Sequence, residues 1–123
     1  MMLRADDGRR VVDPSAEDVV AAIAALDGRQ HTLLVLVGDR ATLRITGGEP
    51  YLVVQFLAGD GEWLLVGDPD AEGEEQVVLA GERRSTLRRV LVGRRYAGAV
   101  AEHFRRKQKR RFGARWERVV IDA

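Results

Sequence analysis

Between Thr32 and Val66 the chain reads TLLVLVGDRATLRITGGEPYLVVQFLAGDGEWLLV, short β-branched and aliphatic runs cut by glycine and aspartate. Nothing else in the sequence narrows the fold as much. Val, Ile, Leu, Tyr and Trp suit a pleated, half-buried surface, whereas Gly38-Asp39, Gly47-Gly48 and Asp60-Gly61 give the backbone the freedom that tight reversals need. The segment predicts an antiparallel meander. Thr32 to Val37 is almost wholly apolar and predicts a central strand covered on both sides or nearly so. Leu43 and Ile45 alternate with Thr42, Arg44 and Thr46, the pattern of a strand with one wet face. Tyr51 to Leu57 and Glu62 to Val66 continue the meander around the turn Ala58-Gly59-Asp60-Gly61. A loop from Gly67 to Glu75, with five acidic residues in nine, leads to a further short strand, Gln76 to Ala80.

Two helices flank this core. Asp13-Pro14-Ser15-Ala16-Glu17-Asp18 is a helix start, with Asp13 or Ser15 as the cap and carboxylates at the positive end of the dipole. Val19, Ile23 and Leu26 then make an apolar stripe, so a helix is expected over Pro14 to Leu26, ended by Gly28. The second helix is expected from Tyr96 to about Lys109, with Ala97, Val100, Ala101 and Phe104 facing the core and Gly113 as its stop. Between the helices' strands, Arg83 to Arg89 reads as polar and irregular, and Val90-Leu91-Val92 as a brief apolar anchor. Trp116 to Ile121 reads as a last strand at the sheet edge, and residues 1–12 as a polar, flexible start whose Val11 and Val12 touch the body. The expected fold is α+β: one antiparallel sheet of about five to six strands packed by an N-terminal and a C-terminal helix, in a single domain over residues 1–123.

Composition matters mainly for what it excludes. At 46% hydrophobic and 32% charged the chain is globular, and no apolar run approaches the ~20 residues of a membrane span, so no membrane partner is expected. The start MMLRADDGRR lacks a secretory apolar segment and there is no cysteine, which suggests the cytoplasm and removes disulfide and thiolate chemistry. The net charge of +1 conceals a polarity. Residues 1–82 carry 6 basic and 16 acidic side chains, a net of −10, while residues 83–123 carry 14 basic and 3 acidic, a net of +11. Such halves make opposed faces if the fold keeps them apart, and neutralise each other if it interleaves them.

The search for covalent chemistry is negative. His31 and His103 fall in no metal-ligand spacing, no glycine-rich phosphate loop is present, and neither Ser15 nor Ser85 sits on a nucleophile elbow. No catalytic residue, metal or cofactor is expected. Asp68, Asp70, Glu72, Glu74 and Glu75 read as a solvated acidic loop rather than an acid–base pair. Arg105, Arg106, Lys107, Lys109, Arg110 and Arg111 form the second charged feature, suited to nucleic-acid phosphates but with no aromatic residue interleaved as a stacking platform.

Several stretches together resemble the immunity proteins of bacterial polymorphic toxin systems, specifically the first-numbered immunity family. They are the helix ending at Leu26-Asp27-Gly28, the turn and strand Gly47-Gly48-Glu49-Pro50-Tyr51-Leu52-Val53-Val54, and the hairpin arm Asp60-Gly61-Glu62-Trp63-Leu64-Leu65-Val66-Gly67-Asp68. Gly81-Glu82-Arg83 ahead of Arg89-Val90-Leu91-Val92, the alanine-rich helix ending near Phe104, and Gly113-Ala114-Arg115-Trp116-Glu117 complete the likeness. The strongly basic tail from Phe104 to Gly113 departs from it. The resemblance implies a small α+β antidote that binds a cognate toxin domain, often a nuclease or nucleic-acid deaminase, and blocks it by occlusion. On that reading Asp60, Glu62, Trp63, Asp68, Asp70, Glu72, Glu74 and Glu75 are the candidate toxin-binding residues, carboxylates standing in for phosphates and Trp63 or Tyr51 serving as an aromatic anchor. The alternatives are a nucleic-acid-associated accessory protein using the basic helix end, and an adaptor or chaperone for a secreted effector.

Overall fold

The computed structural model describes residues 1–119. In chain order the elements are β1 (Met2–Ala5), β2 (Arg10–Val12), α1 (Ala16–Ala25), β3 (Leu33–Val37), β4 (Ala41–Gly47), β5 (Leu52–Ala58), β6 (Gly61–Leu65), β7 (Glu74–Leu79), β8 (Glu82–Leu87), α2 (Arg94–Lys107) and β9 (Trp116–Arg118). The α+β class and the meander β3-β4-β5-β6 are as the sequence predicts. The sheet is larger, with seven antiparallel strands in the order β2-β1-β3-β4-β5-β6-β9, and β7 and β8 form a second, two-stranded sheet of their own.

One face of the large sheet is the core. Leu3, Leu36, Leu43, Phe56 and Trp63 lie in register across five strands, with Leu34, Ile45 and Val54 in the next row, and all are buried. Val19, Ala22, Ile23 and Leu26 from the first helix and Ala97, Val100, Ala101 and Phe104 from the second cover them. Phe56 is the hub, meeting Trp63, Phe104 and Trp116 edge to face at centroid distances of 5.8, 6.1 and 6.0 Å.

Residues 1–12, expected as a flexible start, make the hairpin β1-β2. Asp7-Gly8 is its turn, with Gly8 at φ 87°. Leu3 is buried, worth about 2 kcal/mol. Asp6 Oδ2 accepts from the backbone N–H of Thr32 at 2.7 Å and from its hydroxyl at 3.0 Å, which ties the hairpin to the chain just before β3. The strand expected over Thr32 to Val37 is central, but Leu33, Val35 and Val37 on its outer face are only half-buried, so one side alone is fully covered. Arg83 to Arg89, expected as irregular, supplies most of β8 and then a 3-10 turn, Arg88–Val90. Of the strand expected over Trp116 to Ile121, β9 takes the first three residues and 120–121 lie outside the described residues.

The first helix, expected over Pro14 to Leu26, starts two residues later at Ala16, because Ser15 is its cap, and ends at Ala25 with Leu26 as its C-cap. The Ser15 hydroxyl accepts from the Asp18 N–H at 3.1 Å, and the Asp18 carboxylate accepts from the Ser15 N–H at 2.9 Å, a reciprocal capping box. Ser15→Ala is expected to lower the unfolding free energy by about 1 kcal/mol, read as a shift in urea midpoint at unchanged slope, while Ser15→Gly costs only a few tenths. An unshifted midpoint in the alanine variant would show that the box contributes nothing.

The far end of that helix carries no basic residue in its last turn. Arg94, the first residue of α2, supplies the missing cation from outside: its guanidinium donates to the carbonyls of Ile23 and Leu26 and pairs with Glu49 at 2.8 Å. The second helix ends at Lys107, not near Lys109. Gln108 adopts the left-handed conformation at φ 54°, its N–H donates to the Phe104 carbonyl, and its side chain accepts from Asp39 N–H at 2.8 Å in the β3-β4 turn. Gly113 therefore does not stop the helix; it lies in the loop that follows.

Candidate functional site

The pleat separates residues that adjacency in sequence had grouped. Glu62 and Trp63 are neighbours in β6 and so point to opposite faces. Glu62 sits on the outer face across from Leu57, whereas Trp63 is on the core face, 8% exposed, under the guanidinium of Arg110 at 4.1 Å from the ring centroid. Trp63 is thus a packed core side chain rather than an offered anchor. Asp60 lies at the turn before β6 and Asp68 beyond its far end, with the whole five-residue strand between them. The eight acidic and aromatic candidates do not form one surface.

Five of them are close in the chain, although the pleat turns Glu75 to the face of β7 opposite Glu74. Asp68, Asp70 and Glu72 are exposed in the loop leading to β7, Glu74 opens that strand exposed, and Glu75 beside it is half-buried. The loop is pinned at its start, where the N–H groups of Gly67 and Asp68 donate to the Arg89 carbonyl at 2.8 and 3.3 Å. The hairpin closes at Ala80-Gly81, whose φ values of 50° and 84° are those of a two-residue turn matched to strand twist. Glu74 accepts from the Ser85 hydroxyl at 2.8 Å and Asp68 from the Asp70 N–H at 3.0 Å. Among the described residues none of the five carboxylates has a cation within ion-pair distance. Glu75 and Tyr51, the latter 38% exposed, line a small pocket of about 210 Å³ with Asp27 and Arg29. The Asp27 carboxyl there is held below its ordinary value, first by the backbone N–H of His31 and then by that of Arg29.

The arm made by β7 and β8 lies over the outer face of the large sheet and leaves a cleft of about 610 Å³ beneath it. Arg44 and Gln55, paired across β4 and β5, form the polar part of its floor, and Thr86 and Leu87 part of its roof.

The basic run is divided by the early helix end. Arg105 is committed to Glu102 through two hydrogen bonds of 2.8 and 2.7 Å, which hold the Glu102 carboxyl below its ordinary value. Arg106 and Lys107 are exposed in the last helical turn. Lys109, Arg110 and Arg111 belong to the loop and line a groove of about 690 Å³ with Arg40, Asp60 and Phe112. Phe112 is 96% exposed. From the sequence Phe112 reads as a core or flanking residue, and its exposure follows from the end of the helix at Gln108, whose left-handed conformation no local sequence signal announces.

The opposite charges of the two halves meet at Arg94 with Glu49 and at Arg84 with Glu82, whereas other pairs join residues of the same half. Arg89 beside β8 makes a forked pair with Glu117 of β9 at 2.9 and 2.8 Å, and that hydrogen bonding lowers the Glu117 carboxyl and raises the Arg89 guanidinium from their ordinary values. Two exposed groups of like charge without ion pairs among the described residues are the acidic run from Asp68 to Glu75 and the cations of the basic groove. His31 lies 3.7 Å from Asp7 and 4.0 Å from Asp6. Among the described residues no three His, Asp or Glu side chains are grouped to hold a metal ion, and no helix is long and apolar enough to cross a membrane. No protein-family model matches the chain, and no curated protein matches it significantly.

Proposed function

We propose that the chain is an immunity-type protein that binds a cognate toxin domain in the cytoplasm, a nuclease or nucleic-acid deaminase, and inhibits it by covering its active cleft. The observation that carries this reading is the arm. It is a two-stranded sheet outside the main one, its strand edges pair with no other strand among the described residues, and its leading end bears Asp68, Asp70, Glu72, Glu74 and Glu75 without neutralising partners. An enzyme that grips nucleic acid has a cationic cleft, and carboxylates presented on a narrow arm fit where phosphates would lie. Charge complementarity of this kind raises the encounter rate and rejects wrong partners. Asp60, Glu62 and Trp63 are outside this surface.

The test is calorimetric titration against the toxin domain recovered with this chain by pull-down from its host, with that domain's action on nucleic acid as the second readout. Reversing Glu72, Glu74 and Glu75 together to Lys is expected to weaken binding roughly tenfold or more, to relieve inhibition in proportion, and to leave the thermal melt of the free protein nearly unchanged. Unaltered affinity in the triple variant rejects the arm as the contact; no heat and no inhibition with the native sequence rejects the immunity reading itself.

A further inference from the structure

The groove at the end of α2 is built differently from the arm and lies apart from it, so what it binds is a separate question. Its cations come from two places in the chain. Arg40 stands in the β3-β4 turn, and Lys109, Arg110 and Arg111 follow the helix. Gln108 fixes their common position, since its side chain holds the Asp39 N–H next to Arg40 while its backbone begins the loop. Arg110 is spent in place, its guanidinium lying on Trp63 and reaching toward Phe56 at 5.8 Å. Arg40, Lys109 and Arg111 are exposed and make no ion pair among the described residues. Among the described residues Asp60 is the one acid lining the groove, against the four cations Arg40, Lys109, Arg110 and Arg111, and Arg118 donates to its backbone carbonyl at 2.6 Å.

Phe112 decides which anionic partner fits. A phenylalanine exposed at 96% beside three free cations contributes nothing to the core and offers a bare ring to solvent. The groove's other rings, Phe56 and Trp63, are 6% and 8% exposed, so an acidic protein segment would find no pocket for an apolar anchor. A nucleobase needs none, because it stacks flat on a protruding ring while the flanking phosphates meet the cations. Paired bases would first have to be unstacked to reach it, at a cost of a few kcal/mol. We infer that the groove of Arg40, Lys109, Arg111 and Phe112 is a binding site for single-stranded nucleic acid, one base resting on Phe112 and about three phosphates on the cations.

This site shares no residue with the acidic arm, and its failure leaves the immunity reading untouched. The experiment is fluorescence anisotropy of a labelled single strand of about eight nucleotides, of DNA and of RNA, on the whole chain. Three neutralised phosphates give a logarithmic salt slope of about −2, so raising salt from about 50 to about 200 mM is expected to weaken binding roughly 20-fold. Phe112→Ala is expected to weaken it roughly tenfold at unchanged salt slope, and Lys109→Gln with Arg111→Gln to flatten the slope by about two-thirds. All three side chains are exposed, so each variant should melt with the parent, which a thermal scan checks. Absence of binding at low salt overturns the proposal, as does a Phe112→Ala variant that binds like the parent. A duplex or an oligoglutamate peptide of equal length that binds as tightly as the single strand also overturns it, the peptide result reassigning the groove to an acidic protein.

Discussion

Phe104→Ala is expected to lose about 3–5 kcal/mol of folding free energy, a drop of about 10–20 °C in melting temperature for a chain of this size. Phe104 is completely buried, and its ring meets Phe56 at 79° on the one face where both helices and the sheet converge. Removing it strips the contact between the second helix and the middle of the sheet and leaves a void that Val100 and Leu43 cannot fill without moving off their own packing. A domain holds only about 5–15 kcal/mol in total, so the variant should be marginal at body temperature. The same substitution at Phe112, in the loop after the helix and almost fully exposed, should change stability by no more than about 0.5 kcal/mol. Parallel urea titrations of the two variants are the measurement. Equal midpoints would mean that the second helix is not docked on the sheet through Phe104.

A single added methyl is expected to act almost as strongly at Gly48. The β4-β5 turn presses on the loop after the first helix, and a Cβ at Gly48 would run into the backbone N of Gly28 and the carbonyl carbon of Asp27. Backbone cannot rotate away as a flexible side chain can. Gly48→Ala is therefore expected to cost roughly 2–3 kcal/mol, with faster amide exchange in residues 27–31 as the two turns part. Gly98, in the interior of the second helix with nothing near its missing Cβ, provides the opposite sign: alanine there should stabilise by roughly 0.5–1 kcal/mol. If Gly48→Ala were neutral, the close approach of the two turns would not exist in solution.

Gly48 also marks where sequence stopped being sufficient. Its role in reversing the chain is legible from Gly47-Gly48 between two apolar runs, because turn chemistry is local. Its contact with Gly28, twenty residues away in sequence, is a consequence of how the helix and sheet pack. The N-terminal hairpin was missed for a related reason. Asp7-Gly8 is a turn signal, but the strands on either side are only four and three residues long, too short for an alternation to stand out. What holds them is the burial of Leu3 and the reach of Asp6 to Thr32. The strand β8 was missed because ERRSTL alternates nothing. It lies over an open cleft with water close to both faces, and a strand that buries neither side has no periodicity to read.

The candidate surfaces divide in the same way. The acidic run from Asp68 to Glu75 and the basic run from Arg105 to Arg111 are visible as composition. Their partition is not: Glu62 and Trp63 fall on opposite faces, Arg105 is taken by Glu102, and Arg110 by Trp63. Helix periodicity and the four-strand meander are properties of residues within a few positions of one another, and the sequence alone determined them; it offered Asp13 or Ser15 as the cap, and the structure chose Ser15. The docking of the N-terminal hairpin beside β3, the arm standing outside the sheet, the early end of the second helix at Gln108 and the meeting of Arg40 with Phe112 depend on segments far apart in the chain. Only the tertiary structure decided these, because non-local contacts are chosen by the fit of whole surfaces, and no single stretch of sequence carries the shape of the surface it will meet.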